Sequence, residues 1–313
     1  SILQALLEVV DKAGSKMSEK SKSGVITLVE NEVFKENVGE DTVVSYARLT
    51  GCLSKILTTE ETINMVKGKV LHAEMSDSNS SRFAILVLNA FLKDSPKSIV
   101  DSGLFEETCS FLIRASQSTI QYVSDNATIA IGKLLLGIKN LSDSDEYEES
   151  IENLVEQLCI LTDKPASQSM DTRRLSLVVI RTICRYDYEN TIEPYLDTLI
   201  PSVFACVRDS MIPIKLAAEK CLLALTKLVE DPSNKVFISW MEGRNSTDKV
   251  KTATGKEIQI RSISEYIKRV GSRLAKVERE RLAAGGDREA MFSDQFEDER
   301  EIWAVGGVDL RKE

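Results

Sequence analysis

Apolar positions recur every three or four residues along most of this chain, and the segments they define come in pairs. The clearest pair lies within residues 192–228. Ile192, Leu196, Leu199, Val203 and Cys206 share one helical face. Pro194 falls in the first turn of that helix, where its missing N–H costs nothing. Pro201 falls inside it and predicts a kink. Asp209 and Ser210 form a turn, after which Ile214, Ala217, Cys221, Leu225 and Leu228 line a second helix.

The order Pro201, Asp209, Lys215, Ala217 resembles the pattern of a HEAT repeat. In that pattern the turn Asp and the following basic residue form a ladder, and the small Ala lets the two helices approach. The same second-helix signature recurs around Ala47, Ala84, Ala127 and, less well, Leu175. The successive intervals, taken on to Ala217, are 37, 43, 48 and 42 residues, close to the roughly 40–47 of such repeats. Arg82, Arg173 and Lys215 stand two positions before the key residue, whereas Ser45 and Asp125 break the rule. First helices are expected over residues 60–71, 99–114 and 147–162, with a partial unit from segments 1–14 and 25–34. The expected fold is therefore all-α, a HEAT-type α-solenoid of helical hairpins with a long C-terminal helix and an extended tail. About five repeats occupy residues 1–235, the first of them partial.

The pattern changes after Pro232. Residues 236–286 read as a capping region. Trp240 is a packing residue beneath the last repeat, a polar loop covers 242–255, and a long helix runs from about 257 to 284. Ile260, Ile263, Ile267, Val270, Leu274 and Val277 form a narrow apolar stripe on that helix, suited either to cap the last repeat or to pair with a partner helix. Its other face is basic and includes Arg269 and Arg273. Such a face is either solvated or meets an anionic partner, ribosomal RNA or an acidic protein. Gly285 and Gly286 stop the helix. Residues 287–313 form an acidic tail expected to be flexible in isolation, with Phe292, Phe296 and Trp303 as candidate docking anchors. Within the repeats, Arg174, Arg181 and Arg185 fall on one helix face at i, i+7 and i+11, a row suited to an extended partner.

Composition narrows the function. Aromatics make up 6% of the chain, and 15 Gly and 6 Pro are too few for a turn-dense β fold. The formal net charge of −9 disfavours DNA reading. The six cysteines form no CxxC pair and read as small buried hydrophobes in a reducing compartment. There is no signal peptide and no apolar run near about 20 residues, so no membrane span is expected. The first residues already read as a running amphipathic helix, which suggests a piece of a longer protein. His72 is the single histidine, and no nucleophile, zinc or phosphate-loop motif is present. These features imply a binding scaffold without cofactor or metal, and not an enzyme.

Three stretches, ALLEVVDKAGSKMSE, YARLTGCLSKILTTEE and IPIKLAAEKCLLAL, resemble the C-terminal region of the general-control kinase activator family. The resemblance runs to about residue 280, and the last thirty residues depart from it. It implies a cytoplasmic, ribosome- and polysome-associated HEAT scaffold. Such a scaffold presents the amino-acid-starvation kinase, which phosphorylates translation initiation factor two, to uncharged tRNA. It also implies binding of RWD-domain proteins, that kinase among them, through a segment mostly upstream of this chain, so no kinase-docking residue is carried over. The alternative is a HEAT adaptor for protein transport or phosphatase assembly.

Overall fold

A computed structural model of the chain describes residues 2–33, 40–74, 78–138, 147–163, 169–186, 188–228 and 233–283. They divide into two compact units, one within residues 1–150 and the other within 151–301.

The first unit holds α1 (Ile2–Ala13), α2 (Glu19–Val33), α3 (Glu40–Ser54), α4 (Thr59–Met65), α5 (Ser78–Asp94), α6 (Pro96–Asp101), α7 (Phe105–Ser116) and α8 (Gln121–Gly137). A π-helical turn, Val66–Leu71, extends α4. The expected second helices are α3, α5 and α8, and they pack on one another in succession, α3 on α5 and α5 on α8. Their small residues Ala47, Ala84 and Ala127 are fully buried, as the signature requires. Gly137 closes α8 against α6, where a Cβ would overlap the Pro96 ring.

Two first-unit expectations need correction. The helix expected over 99–114 is two helices, α6 and α7. Gly103 adopts a left-handed φ of 66°. Its N–H donates to Val100 O, and that of Leu104 donates to Ile99 O. These are the paired bonds of a Schellman cap, which ends α6. The segment expected at 25–34 begins earlier, at Glu19. Ser18 Oγ accepts the Ser21 N–H at 3.2 Å and caps the helix, and the polar first turns of α2 carry no apolar stripe to reveal them. The start of α4 follows the sequence more closely. Thr58 and Glu61 form a reciprocal capping box, and Lys22 Nζ lies 2.6 Å from Glu61. Burial would raise the Glu61 pKa. The Lys22 ammonium and the Thr58 hydrogen bonds outweigh that and hold the carboxyl below its ordinary value.

Lys133 is buried in α8, its Nζ 3.5 Å from Asn89 O. Burial, with Lys93 nearby, lowers its pKa from 10.5 to about 8. Between those values the folded chain binds fewer protons than the unfolded chain, so this group makes stability rise with pH there. Lys133→Met should therefore raise stability at pH 7 by roughly 3 kcal/mol, and the gain should shrink toward pH 10. Urea midpoints at both pH values test this. A variant less stable than the parent at pH 7 would contradict it.

The second unit holds α9 (Glu148–Thr162), α10 (Met170–Tyr186), α11 (Leu196–Val207), α12 (Ile212–Leu225), α13 (Lys235–Met241), the strands β1 (Lys249–Lys251) and β2 (Glu257–Gln259), and α14 (Ile260–Ala283). α12 packs on α10 and α11. Pro201 sits inside α11, and Pro213 begins α12. The repeat register shifts by one residue here. The small buried residues are Ser176, beside Leu175, and Ala218, beside the half-buried Ala217.

A third correction falls between α13 and α14. The polar loop expected over 242–255 leads into an antiparallel hairpin, β1 with β2, that runs on to Gln259, and Val250 faces Ile258 across it. Gly255 turns the chain at φ 80°. The long helix therefore begins at Ile260 and not near 257. The strands are three residues each, too short for their alternation to stand out.

Candidate partner-binding surface

The strongest polar feature of the second unit is a buried rung between neighbouring helical hairpins. Arg173 on α10 is 4% exposed. Its Nε donates to Thr162 O at 3.0 Å, and its Nη2 meets Asp209 Oδ2 at 2.5 Å. The other Asp209 oxygen accepts the Met211 N–H at 2.9 Å, which orders the turn into α12. The ladder residue expected to meet Asp209 was Lys215. Lys215 is instead exposed, and the arginine of the preceding second helix takes the place. Arg82, another basic position of that pattern, lies 5.5 Å from the centre of the Tyr122 ring.

The row of Arg174, Arg181 and Arg185 is not one exposed stripe. Arg174 is half-buried, Arg181 is 6% exposed, and Arg185 alone is exposed. The spacing does put them on one face of α10, but that face is covered midway. Arg181 is close enough for its charge to act on the buried Cys221, whose thiol is nevertheless pushed up by burial. Arg185 stacks at 5.3 Å over Tyr186, itself exposed.

The capping region is anchored from below. Trp240 of α13 is 6% exposed. Its Nε1 donates to Asp197 Oδ1 at 2.8 Å, its ring stacks on Phe237, and the Arg244 guanidinium lies 4.9 Å above it. The hairpin reaches α11 through the Ala253 N–H, which donates to Ser202 Oγ at 3.0 Å. Ile260, Ile263, Ile267 and Val270 of α14 are buried, and Tyr266 packs edge-on against Phe204 of α11. The first four stripe positions thus cover the last repeat. The side chains of Leu274 and Val277 lie outside the described residues.

Between α11, α12 and α14 opens a cleft of about 510 Å³ rimmed by Arg208, Asp209, Lys215, Glu219, Glu265 and Arg269. Tyr266 lies at its wall. Burial, and then its hydrogen bond with the Glu219 carboxylate, push its phenol up to about 12. Arg269 lies 5.3 Å over that ring and is exposed, as is Arg273 one turn on. These side chains form a charged surface of mixed sign, on which Arg269 and Arg273 present the exposed cations of α14. Arg208 and Tyr266 escaped the sequence reading because the cleft exists only where three elements converge. Phe292, Phe296 and Trp303 lie outside the described residues.

Nothing in the described residues suggests covalent chemistry. No group of His, Cys, Asp and Glu there could hold a metal ion, and no described helix is long and apolar enough to cross a membrane. Burial pushes the Cys109 and Cys159 thiols up to about 12, away from the thiolate that nucleophilic chemistry needs.

Serial second-helix packing, a turn Asp bound in a ladder and a capped end define a HEAT-type α-solenoid, a repeat scaffold. Residues 82–236 match the family described as GCN1-like, C-terminal HEAT repeats, and the chain belongs to it. It is 49% identical over 99% of its length to the eIF-2-alpha kinase activator GCN1 of Saccharomyces cerevisiae, of which it spans 12%. It is 22% identical to the protein ILITYHIA of Arabidopsis thaliana over 75% of this chain and 8% of that protein. Among solved structures, a designed armadillo repeat protein is similar at 13% identity, with a TM-score of 0.41, covering 71% of this chain and 91% of that one.

Proposed function

We propose that this chain is a C-terminal scaffold segment of a cytoplasmic regulator that activates the kinase of translation initiation factor two during amino-acid starvation. The supporting observation is the 49% identity to the yeast kinase activator, sustained across 99% of the chain. In this reading the segment binds and does not catalyse. Its contact surface is the set of basic side chains at the α12–α14 cleft, Arg208, Lys215 and Arg269, together with Arg273 one turn further along α14. The partners are ribosomes, engaged through ribosomal RNA or acidic ribosomal proteins, and RWD-domain proteins, the kinase among them. The exposed basic face of α14 favours the ribosome as the partner of this particular surface. Binding of the full chain to purified ribosomes, and separately to the RWD domain of the kinase, tests the proposal. Retention of ribosomes at low salt is expected. Selective capture of a phosphatase catalytic subunit or of transport cargo, with no retention of ribosomes or RWD domain, would favour the adaptor reading instead.

A further inference from the structure

We propose that the outward face of α12 is a docking site for this chain's own acidic segment, residues 287–301, with Phe292 and Phe296 as its anchors. α12 is apolar on both sides. Ile214, Ala218, Cys221 and Leu225 are buried on the side that serves α10 and α11. On the other side Ile212 is 69% and Leu216 52% exposed, and Met211 adjoins them at 43%. The partly exposed Leu223 continues their line at i+11, past Glu219, which is hydrogen-bonded to Tyr266 of α14. In the serial packing of α3 on α5 and of α10 on α12, such a face is where a following second helix would lie. Here the described chain turns away instead. The hairpin and α14 cover α11, and Gly271 of α14 meets Leu228 just past the end of α12. The apolar strip stays open, with Lys215 and Lys220 beside it and Arg269 and Arg273 on α14.

Charge and reach select the occupant. Residues 287–301 hold seven carboxylates against two arginines, and their two phenylalanines are four residues apart. They therefore offer apolar anchors in an anionic setting to an apolar strip with cationic edges. From Gly271, α14 runs twelve residues on to Ala283, about 18 Å at the helical rise. The way back to Leu228 and along α12 to Leu216 is then about 36 Å. Phe296 follows Ala283 by thirteen residues, enough for about 43 Å of extended chain, and Phe292, with about 30 Å, reaches Leu223.

A photo-crosslinking residue placed at position 292 of the full chain, with the products mapped by mass spectrometry, tests this. The expected result is intramolecular crosslinking, in the monomer band, to the peptide holding residues 211–223. The yield should fall at least tenfold in Ile212→Asp/Leu216→Asp and stay unchanged in Val9→Asp, which alters an exposed apolar residue of α1. Circular dichroism checks that the variants fold. Should the double variant misfold, the map of the parent chain decides alone. Crosslinks scattered without preference for α12, crosslinks confined to a dimer band, or a yield indifferent to Ile212→Asp/Leu216→Asp in a folded variant would each overturn the proposal.

Discussion

Arg173→Met should destabilise the second unit by about 3–5 kcal/mol, the usual cost of breaking a buried ion pair from one side. The methionine fills most of the space, so the loss is chiefly electrostatic. Asp209, about nine-tenths buried, loses its guanidinium partner while the Met211 N–H still donates to its other oxygen, and Thr162 O loses its guanidinium donor. Arg173→Lys should recover only part of this. One ammonium on a single flexible stem cannot reproduce the planar fork that reaches a backbone carbonyl and a carboxylate together. Asp209→Asn, which keeps an acceptor for the Met211 N–H, should cost less than Arg173→Met. Urea unfolding followed by circular dichroism measures all three. A loss under about 1 kcal/mol for Arg173→Met would mean that the rung is incidental to the stacking of these hairpins, against its burial.

Trp240→Ala should cost about 3–5 kcal/mol, in the range for deleting a buried aromatic side chain, and the damage should be local. The indole holds α13 to α11 through its hydrogen bond to Asp197, and it stacks on Phe237 of its own helix and under the Arg244 guanidinium, which also pairs with Asp197. Removing it leaves Asp197 with Arg244 alone of these two partners and loosens the segment that leads into the hairpin and α14. Trp240→Phe keeps most of the apolar surface and loses the N–H donor, so its cost should be smaller. Hydrogen exchange shows where the effect falls. Faster exchange is expected in α11, the hairpin and the start of α14, with α5 and α8 unchanged. Uniformly faster exchange across both units would show that the capping region is not a separate layer of stability.

Whatever rested on local periodicity was legible in the sequence. Ala47, Ala84 and Ala127 mark second helices because a three-to-four spacing of apolar residues around a small one survives in each. The break between α6 and α7 was written in Gly103, but the residues around it continue a helical pattern, so only the left-handed φ exposes it. The hairpin escaped because, of its three facing pairs, one alone is apolar, Val250 with Ile258. The ladder illustrates a different limit. Spacing pointed from Asp209 to Lys215 six residues away, whereas the partner is Arg173, 36 residues earlier. A buried rung requires a donor that can also satisfy Thr162 O, and that condition appears only after two helices have packed. Arg181 fell on the expected face of α10, yet a helical wheel does not show that another segment covers its middle. The candidate surface was legible only as Arg269 and Arg273. Arg208, Lys215 and Tyr266 joined them through the convergence of α11, α12 and α14.

The central claim, a binding scaffold that works through the exposed basic side chains of its C-terminal unit, is tested most directly by ribosome co-sedimentation of the full chain. The charge reversal Arg269→Glu/Arg273→Glu is compared with the parent across a salt series. Both side chains are exposed, so the fold should survive. The expected result is a parent chain that pellets with ribosomes at low salt and releases steeply as salt rises, and a variant bound at least tenfold more weakly. A parent chain that stays in the supernatant at every salt concentration, or a variant that pellets equally well, would contradict the account.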